Sequence, residues 1–179
     1  MRRTMFPALL AAVSVAAAYA DTATVYTNAD AFIYEAQPDS TYGTAGWLNA
    51  GQQWIGGSES RTLLNFDTSN VIPDGYELVS AVLHTLPDRW VTYAGEATVV
   101  ATFGVDGTWG ETSVTWNSRP TVGSQIGTDT VVVTGSKPGV VSWDVTDAWA
   151  ESTTLDFYLA MTNPTTATGI LQPYSRERG

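Results

Sequence analysis

The stretch YELVSAVLHTL, residues 76–86, decides the fold of this chain. Successive side chains of a strand point to opposite faces of its sheet. Leu78 and Val82 therefore fall on one face of this stretch, and Val79 and Leu83 fall on the other. Because both faces carry apolar side chains, we predict that this stretch forms a central strand that is covered on both sides.

Similar short runs lie on both sides of this stretch. They are rich in β-branched and aromatic residues and are separated by Gly, Pro, Asn or Asp, a spacing typical of an all-β sandwich. About ten strands follow from this pattern. Besides 76–86, the predicted strands cover residues 24–26, 31–34, 47–50, 62–66, 96–103, 131–133, 140–143 and 155–161.

One segment departs from the strand pattern. Residues 146–151 begin with Thr146, a residue type that caps helix N-termini, and continue with Asp147 and without a β-branched run. We predict one short helix here. The predicted fold class is all-β: a single antiparallel β-sandwich of jelly-roll type with one short helix, over residues 21–179.

The first twenty residues, 1–20, carry the features of a secretory signal peptide. Arg2 and Arg3 precede an apolar run over residues 5–18, and Ala18-Tyr19-Ala20 supplies a small-residue cleavage site. The leader is therefore predicted to be removed, and the domain that follows is predicted to be secreted, extracellular or on the cell surface. No later segment has the roughly twenty apolar residues that a transmembrane helix needs.

The charge of the chain excludes one large class of partners. Eighteen Asp and Glu outnumber eight Lys and Arg, and the formal net charge is −10. Two of the eight, Arg2 and Arg3, lie in the predicted leader, so the domain itself is more acidic still. Such a surface repels phosphate backbones and anionic membranes, and nucleic-acid binding is not expected. The chain has no cysteine, which excludes disulfides, thiolate catalysis and cysteine metal ligands.

Catalytic arrangements are sparse in this sequence. His84 is the single histidine, no G-x-S-x-G string is present, and a zinc site would need more nitrogen or sulfur ligands than the chain has. The strongest catalytic candidates are the carboxylates Asp106 and Glu111, which flank Trp109 and would suit a small polysaccharide hydrolase or lyase. We expect no enzyme activity from the chain itself and keep this hydrolase or lyase as an alternative.

Calcium is the metal that an acidic extracellular sandwich would use, because loop oxygens are its preferred ligands. The sequence has no D-x-[DN]-x-[DN]-G loop, so a site would have to combine separate loops. The candidate donors are Asp30, Glu35, Asp67 and Asp144. We predict no cofactor and leave a structural calcium ion open.

Aromatic residues in or beside loops give the clearest indication of a ligand. Sugar rings present apolar faces that stack on Trp and Tyr, while basic and amide side chains hydrogen-bond the hydroxyls. The candidate stacking residues are Trp47, Trp54, Trp90 and Tyr93, and the candidate hydrogen-bonding residues are Arg61 and Arg89. The predicted partner is therefore a polysaccharide or cell-wall glycan.

Several strings of the chain, taken in order, resemble one known family. The most specific is W-G-E-T-S-V-T-W-N-S-R-P, residues 109–120. R-T-L-L-N-F-D at 61–67, W-D-V-T at 143–146 and Y-S-R-E at 174–177 agree with it. Together they resemble the DNRLRE domain, which is also classed as carbohydrate-binding module family 96.

The resemblance implies a secreted β-sandwich that accompanies polysaccharide-active enzymes or surface proteins, with carbohydrate binding in some members and no active site. The chain differs from the family in two respects. It lacks the basic residues expected of members that bind acidic polysaccharides such as alginate, which favours a neutral or calcium-bridged glycan. It also stops at Gly179, before the final strand that the family has.

Two interpretations of that final strand remain open. One is that the sequence is truncated at its C-terminus. The other is that a strand from another subunit pairs with the open sheet edge, as in donor-strand assembly. The predicted function is a non-catalytic carbohydrate-binding or cell-surface adhesion module, and the alternative is a structural subunit of an extracellular filament or matrix.

Overall fold

The computed structural model of the chain describes residues 21–52, 57–92, 98–106, 108–131, 140–150, 154–161 and 169–173, together with residues 175 and 177. The predicted signal peptide lies outside these residues and stays a prediction. In the described ranges, no helix combines the length and the apolar character that crossing a membrane requires.

The described residues form ten strands and one short helix. In chain order these are β1 (Ala29–Tyr34), β2 (Ala50–Gln52), β3 (Glu59–Asp67), β4 (Val82–Thr85), β5 (Pro87–Thr92), β6 (Thr98–Asp106), β7 (Thr121–Val131), β8 (Val141–Asp144), α1 (Thr146–Ala150), β9 (Thr154–Met161) and β10 (Gly169–Pro173). Every pairing between these strands is antiparallel. The predicted all-β class is confirmed.

The strands form two sheets that enclose a common core. Eight of them form one sheet in the order β5-β10-β2-β3-β9-β6-β7, with β1 paired to β3, and β4 and β8 form the other. Leu64 and Leu159 of the large sheet pack with Leu83 and Trp143 of the small sheet in one cluster of buried residues. The chain is therefore an antiparallel β-sandwich, as predicted.

Strand β3 shows how the large sheet is covered on both faces. Leu64 belongs to the cluster shared with the small sheet, and its neighbour Leu63 belongs to a second cluster. Neighbouring residues of a strand point to opposite faces, so the second cluster lies on the outer face of the sheet. Val114 is buried in that cluster, and Trp109 and Trp116 pack against it. The segment between β6 and β7 therefore covers the outer face.

The string W-G-E-T-S-V-T-W-N-S-R-P within that segment also contacts the loop that follows β1. A Cβ at Gly43 would overlap the carbonyl of Glu111, so the two backbones meet where only glycine leaves enough room. The backbone N–H of Asn117 donates to the carbonyl of Pro38 at 3.0 Å, and its Nδ2 donates to Asp39 at 2.8 Å. The string therefore belongs to the scaffold.

Residues 76–86 do not form the central strand that their alternation predicts. The strand covers Val82–Thr85 alone, and among the described strands it pairs with β8 and no other. Leu83 is buried as expected, but Val82 is exposed and Val79 is 81% exposed. The prediction is wrong because residues 76–81 form no strand, so the alternation of the sequence does not place their side chains on the two faces of a sheet.

Other strand predictions agree with the structure in part. Residues 62–66, 140–143 and 155–161 fall on β3, β8 and β9, whereas residues 24–26 form no strand. The sequence pattern does not indicate β5, β10 or most of β7. Residues 47–50 are shifted as well, because β2 begins only at Ala50.

The predicted helix is confirmed as α1, although a different residue caps it. The backbone N–H of Thr146 donates to Asp144 Oδ1 at 3.0 Å, and the Thr146 hydroxyl donates to the same oxygen at 2.6 Å. The N–H of Ala81 donates to Thr146 Oγ1 at 2.9 Å. These bonds tie the start of α1 to both β8 and the segment before β4, and Trp149 packs against the main core.

Candidate functional site

The structure describes some of the predicted ligand-binding residues and not others. Trp54 and Tyr93 lie outside the described residues and stay predictions. Trp47 is 47% exposed just before β2, so its ring is accessible to a ligand. Trp47 is therefore the candidate stacking residue whose exposure the structure describes.

Arg89 and Trp90 lie in strand β5, and their roles in ligand binding stay predictions. They are register partners of Gln172 and Leu171 in β10. The strand begins at Pro87, and proline is tolerated at the first residue of an edge strand, where its missing N–H breaks no ladder. A proline followed by two charged residues hides this strand from pattern-based prediction.

Arg61, the last of the six, is held in place by its neighbours on the outer face of the sheet. Its Nε and Nη2 donate to the two carboxylate oxygens of Glu59 at 2.7 Å each, and its Nη1 donates to the hydroxyl of Tyr158 at 3.0 Å. The side chains of Arg61 and Glu59 are 22% and 15% exposed. All three guanidinium nitrogens of Arg61 are therefore engaged within the protein.

Trp116 brings a second arginine to the same place. The guanidinium of Arg61 lies 4.9 Å from the centroid of the Trp116 ring, and that of Arg119 lies 4.5 Å from it, both within cation–π range. Arg119 also donates to the backbone carbonyl of Trp116. Two of the few basic side chains of the domain thus fasten the end of the covering segment to the sheet.

The pKa values of this cluster reflect the same contacts. Burial alone would lower the pKa of Arg61, but its hydrogen bond to Glu59 and its interaction with Tyr158 raise the pKa above its ordinary value. Burial raises the pKa of Tyr158, and the charge of Arg61 opposes that rise. The guanidinium stays charged and the phenol stays neutral, which suits a structural role.

Trp109 fixes the other end of the covering segment. Its Nε1–H donates to Asp156 Oδ1 at 2.8 Å, and the same oxygen accepts from Asn65 Nδ2 at 2.9 Å. Asp156 and Asn65 are register partners in β9 and β3. The sheet therefore presents a polar pair that receives the indole.

Three carboxylates from distant parts of the chain meet near the start of β1. Asp30, Glu111 and Glu177 each place an oxygen within 4.8 Å of the others. Asp30 is 2% exposed, and its backbone N–H donates to Glu111 Oε1 at 2.9 Å. Carboxylate oxygens suit calcium, which takes six to eight oxygen ligands. The structural calcium ion stays a prediction, and this cluster is where it would be tested.

The other predicted calcium donors do not join that cluster. Glu35 accepts from the backbone N–H of Glu59 at 3.0 Å. Asp67 accepts from the backbone and the hydroxyl of Ser69, and Asp144 accepts from Thr146, contacts that lower the pKa of both carboxyls. Glu35 thus links two distant segments of the chain, whereas Asp67 and Asp144 close local turns. A calcium site that includes any of these three carboxylates stays a prediction.

Of the two carboxylates of the hydrolase or lyase alternative, the structure describes the side chain of Glu111. Glu111 is half-buried and accepts from the backbone of Asp30, and it lines neither of the two cavities found among the described residues. Asp106 ends β6, where it is the register partner of Thr121, and the role of its side chain stays a prediction. No contact of the described residues favours that alternative.

A cavity of about 170 Å³ opens between the N-terminal segment and β4. Its floor is made of the buried core residues Leu48 and Leu64, together with Phe66. Its rim is made of residues from separate segments: Val25, Tyr26, Thr27, Asp30, His84, Thr85, Leu86 and Pro173. The cavity therefore joins an apolar floor to a rim that carries a phenol, an imidazole and hydroxyls.

Sequence reasoning did not find this cavity. Tyr26 falls in the predicted strand 24–26, but in the structure it precedes β1 and is 82% exposed. His84 reads as an ordinary strand histidine, and its Nδ1 lies 2.7 Å from Ser142 Oγ in β8. The pairing of β4 with β8 leaves His84 on the face away from the core. This pairing cannot be read from the sequence, so no sequence signal indicates the site.

Comparison with known proteins gives one result. The family described as carbohydrate-binding module family 96 matches residues 21–179. No curated protein matches the chain.

Proposed function

The chain belongs to carbohydrate-binding module family 96, and from that premise we propose that it is a secreted, non-catalytic module that binds polysaccharide at the cell surface or outside the cell. The match over the whole of residues 21–179 is the observation that carries this proposal. The exposed ring of Trp47 and the aromatic rim of the cavity supply the surfaces that sugar rings need. The leader with Arg2 and Arg3 supports secretion.

The polysaccharide that suits this surface best is neutral. The chain has eighteen acidic residues and eight basic ones, so a polyanionic glycan meets net repulsion. Arg61 and Arg119, which could have bound acidic sugars, instead contact Trp116. This supports a glycan of uncharged sugars over alginate-like polymers.

The experiment is a binding screen with the purified domain against insoluble and soluble polysaccharides. Neutral glucans, mannans, xylans and galactans are compared with alginate, pectate and chondroitin sulfate at neutral pH. We expect retention on at least one neutral polymer and no release of reducing ends during the incubation. Absence of binding to every polymer would contradict the proposal, and release of reducing ends would revive the hydrolase alternative.

A structural subunit of a filament or matrix is the second candidate function. Its support is the edge of the small sheet: among the described strands β4 pairs with β8 alone, and Val82 and Leu86 are exposed beside it. An unpaired edge can accept a strand from another chain. Light scattering over a concentration series tests this candidate, because a subunit of this kind assembles as its concentration rises and a binding module stays monomeric.

A further inference from the structure

The cavity beside Tyr26 has the composition of a small ligand site. Its floor consists of Leu48, Leu64 and Phe66, so a ligand that enters meets the hydrophobic core directly. A tyrosine that is 82% exposed stands at its rim, next to Leu86, which is 57% exposed. Sites for small molecules combine an apolar lining with a few placed polar groups.

The polar groups of the rim are held in fixed positions. His84 Nδ1 is 2.7 Å from Ser142 Oγ, which orients the imidazole of this exposed residue. Thr27 Oγ1 donates to Asp30 Oδ2 at 3.4 Å, so its oxygen also has a defined direction. A phenol ring with an imidazole and a hydroxyl around it can contact both the apolar face and the hydroxyl edge of a sugar.

The charge around the cavity selects against anions. The described residues of its lining include no lysine and no arginine, and one of them is Asp30. Glu111 and Glu177 bring two more carboxylate oxygens within 4.8 Å of that of Asp30. Because the formal net charge of the whole chain is also −10, a uronate or a sulfated sugar meets net repulsion from the chain, whereas an uncharged sugar does not.

The size of the cavity limits how much of a glycan it can hold. Its volume of about 170 Å³ is smaller than the roughly 300–1,000 Å³ of sites for larger ligands. One sugar ring fits this space, and a continuous polysaccharide chain does not pass through it. The geometry therefore suits the end of a glycan rather than its middle.

We infer that this cavity binds a single uncharged sugar residue at the end of a glycan chain, with Tyr26 stacking on the ring and His84 hydrogen-bonding a hydroxyl. The inference rests on the proposed carbohydrate-binding function and adds its site and ligand class. Tyr26 supplies the larger share of the affinity because its face is the largest exposed surface at the rim.

The test uses the purified domain and the neutral polysaccharide that it retains in the screen. Free monosaccharides of the same neutral class, namely glucose, mannose, galactose and xylose, are added as competitors, and affinities are measured by calorimetry with oligosaccharides of increasing length. We expect one of these monosaccharides to compete, and we expect no gain in affinity beyond two or three sugar units.

Substitutions test which residues of the cavity bind the sugar. Tyr26→Ala should weaken binding about tenfold, Tyr26→Phe should bind within about twofold of the wild type, and His84→Ala should weaken binding about fivefold. Tyr76→Ala is the matched control, because Tyr76 is also an exposed tyrosine and does not line the cavity. The melting temperature of Tyr26→Ala should be unchanged, since that side chain is 82% exposed.

The outcomes separate this inference from the function on which it rests. If the wild type binds a glycan and both Tyr26→Ala and His84→Ala bind it equally well, the proposed site is wrong and the carbohydrate-binding function stands. Absence of wild-type binding to any neutral glycan overturns both. The wild-type domain could instead assemble as its concentration rises, with no effect of any sugar. If Leu86→Ser abolishes this assembly, the cavity binds a strand of another copy, and the inference is also overturned.

Discussion

Removing one charge from the cluster around Arg61 should destabilise the whole domain. In Glu59→Gln, one of the two carboxylate oxygens that accept from Arg61 at 2.7 Å becomes an amide N–H₂ that faces a guanidinium N–H. The substitution loses a hydrogen bond between charged groups, which contributes about 1.5–3 kcal/mol. Both side chains are largely buried, at 22% and 15% exposed, so solvent screens the pair only in part.

We expect a loss of about 2–3 kcal/mol in the free energy of unfolding, between the value for an exposed ion pair and that for a fully buried one. For a domain of this size that corresponds to a fall in melting temperature of about 4–12 °C. Thermal and urea unfolding, followed by tryptophan fluorescence, measure both quantities. Arg61→Lys should cost a similar amount, because an ammonium cannot reproduce the fork that reaches Glu59 and Tyr158 together.

Glu77→Gln is the matched control for this prediction. Glu77 is exposed, and its substitution removes the same negative charge from the same acidic chain without touching the cluster. Any general relief of repulsion is therefore common to both variants. Melting temperatures of Glu59→Gln and Glu77→Gln that agree within about 1 °C would refute the account of Arg61 as the residue that fastens the covering segment.

Three further predictions rest on single contacts, and a fourth rests on the predicted leader. Gly43→Ala should lower the free energy of unfolding by about 1–3 kcal/mol because the added Cβ overlaps the Glu111 carbonyl. Gly46→Ala is the control and should leave stability unchanged, because Gly46 has open space around it. Urea unfolding compares the two variants. Trp109→Phe should cost about 1–2 kcal/mol through the lost hydrogen bond to Asp156, and Trp47→Phe, as the exposed control, should melt like the wild type. The pKa of Asp144 lies below its usual 3.8 because the Thr146 hydroxyl and N–H donate to it. Its contribution to stability is therefore complete above the usual pKa and is lost as the pH falls through the lowered pKa. In a pH series of thermal melts, Asp144→Asn should reduce the loss of stability at acid pH, and an unchanged loss would count against the cap. N-terminal sequencing of the exported protein should begin at Asp21, and retention of Arg2 and Arg3 would contradict the signal-peptide prediction.

The sequence predicts those parts of the fold in which local pattern and burial agree. Strand β3 is found because Leu63 and Leu64 serve two different clusters, so both faces of the strand are apolar and covered. Helix α1 is found because its polar start is a local signal. Residues 76–86 mislead because the strand covers only Val82–Thr85, and nothing local says that apolar Val79 lies outside it and is exposed.

The sites are harder to predict because they depend on contacts between distant residues. In the sequence, Arg61 looks available to donate to sugar hydroxyls. In the structure it donates instead to Tyr158, which lies 97 residues away, and its guanidinium lies over the ring of Trp116. Tyr26 and His84 lie far apart in the chain, and both line the cavity of the folded domain. Residue type alone therefore identifies aromatic candidates and cannot decide which of them face solvent.

The central claim is that this domain binds uncharged glycan without cleaving it. The most direct measurement is calorimetric titration of the purified domain with a neutral oligosaccharide series and, in parallel, with oligosaccharides of uronic acid. The account predicts saturable binding to a neutral sugar, weaker or absent binding to the uronates, and unchanged ligand at the end of the titration. Preferential binding to the uronates, or no binding to either series, would contradict it.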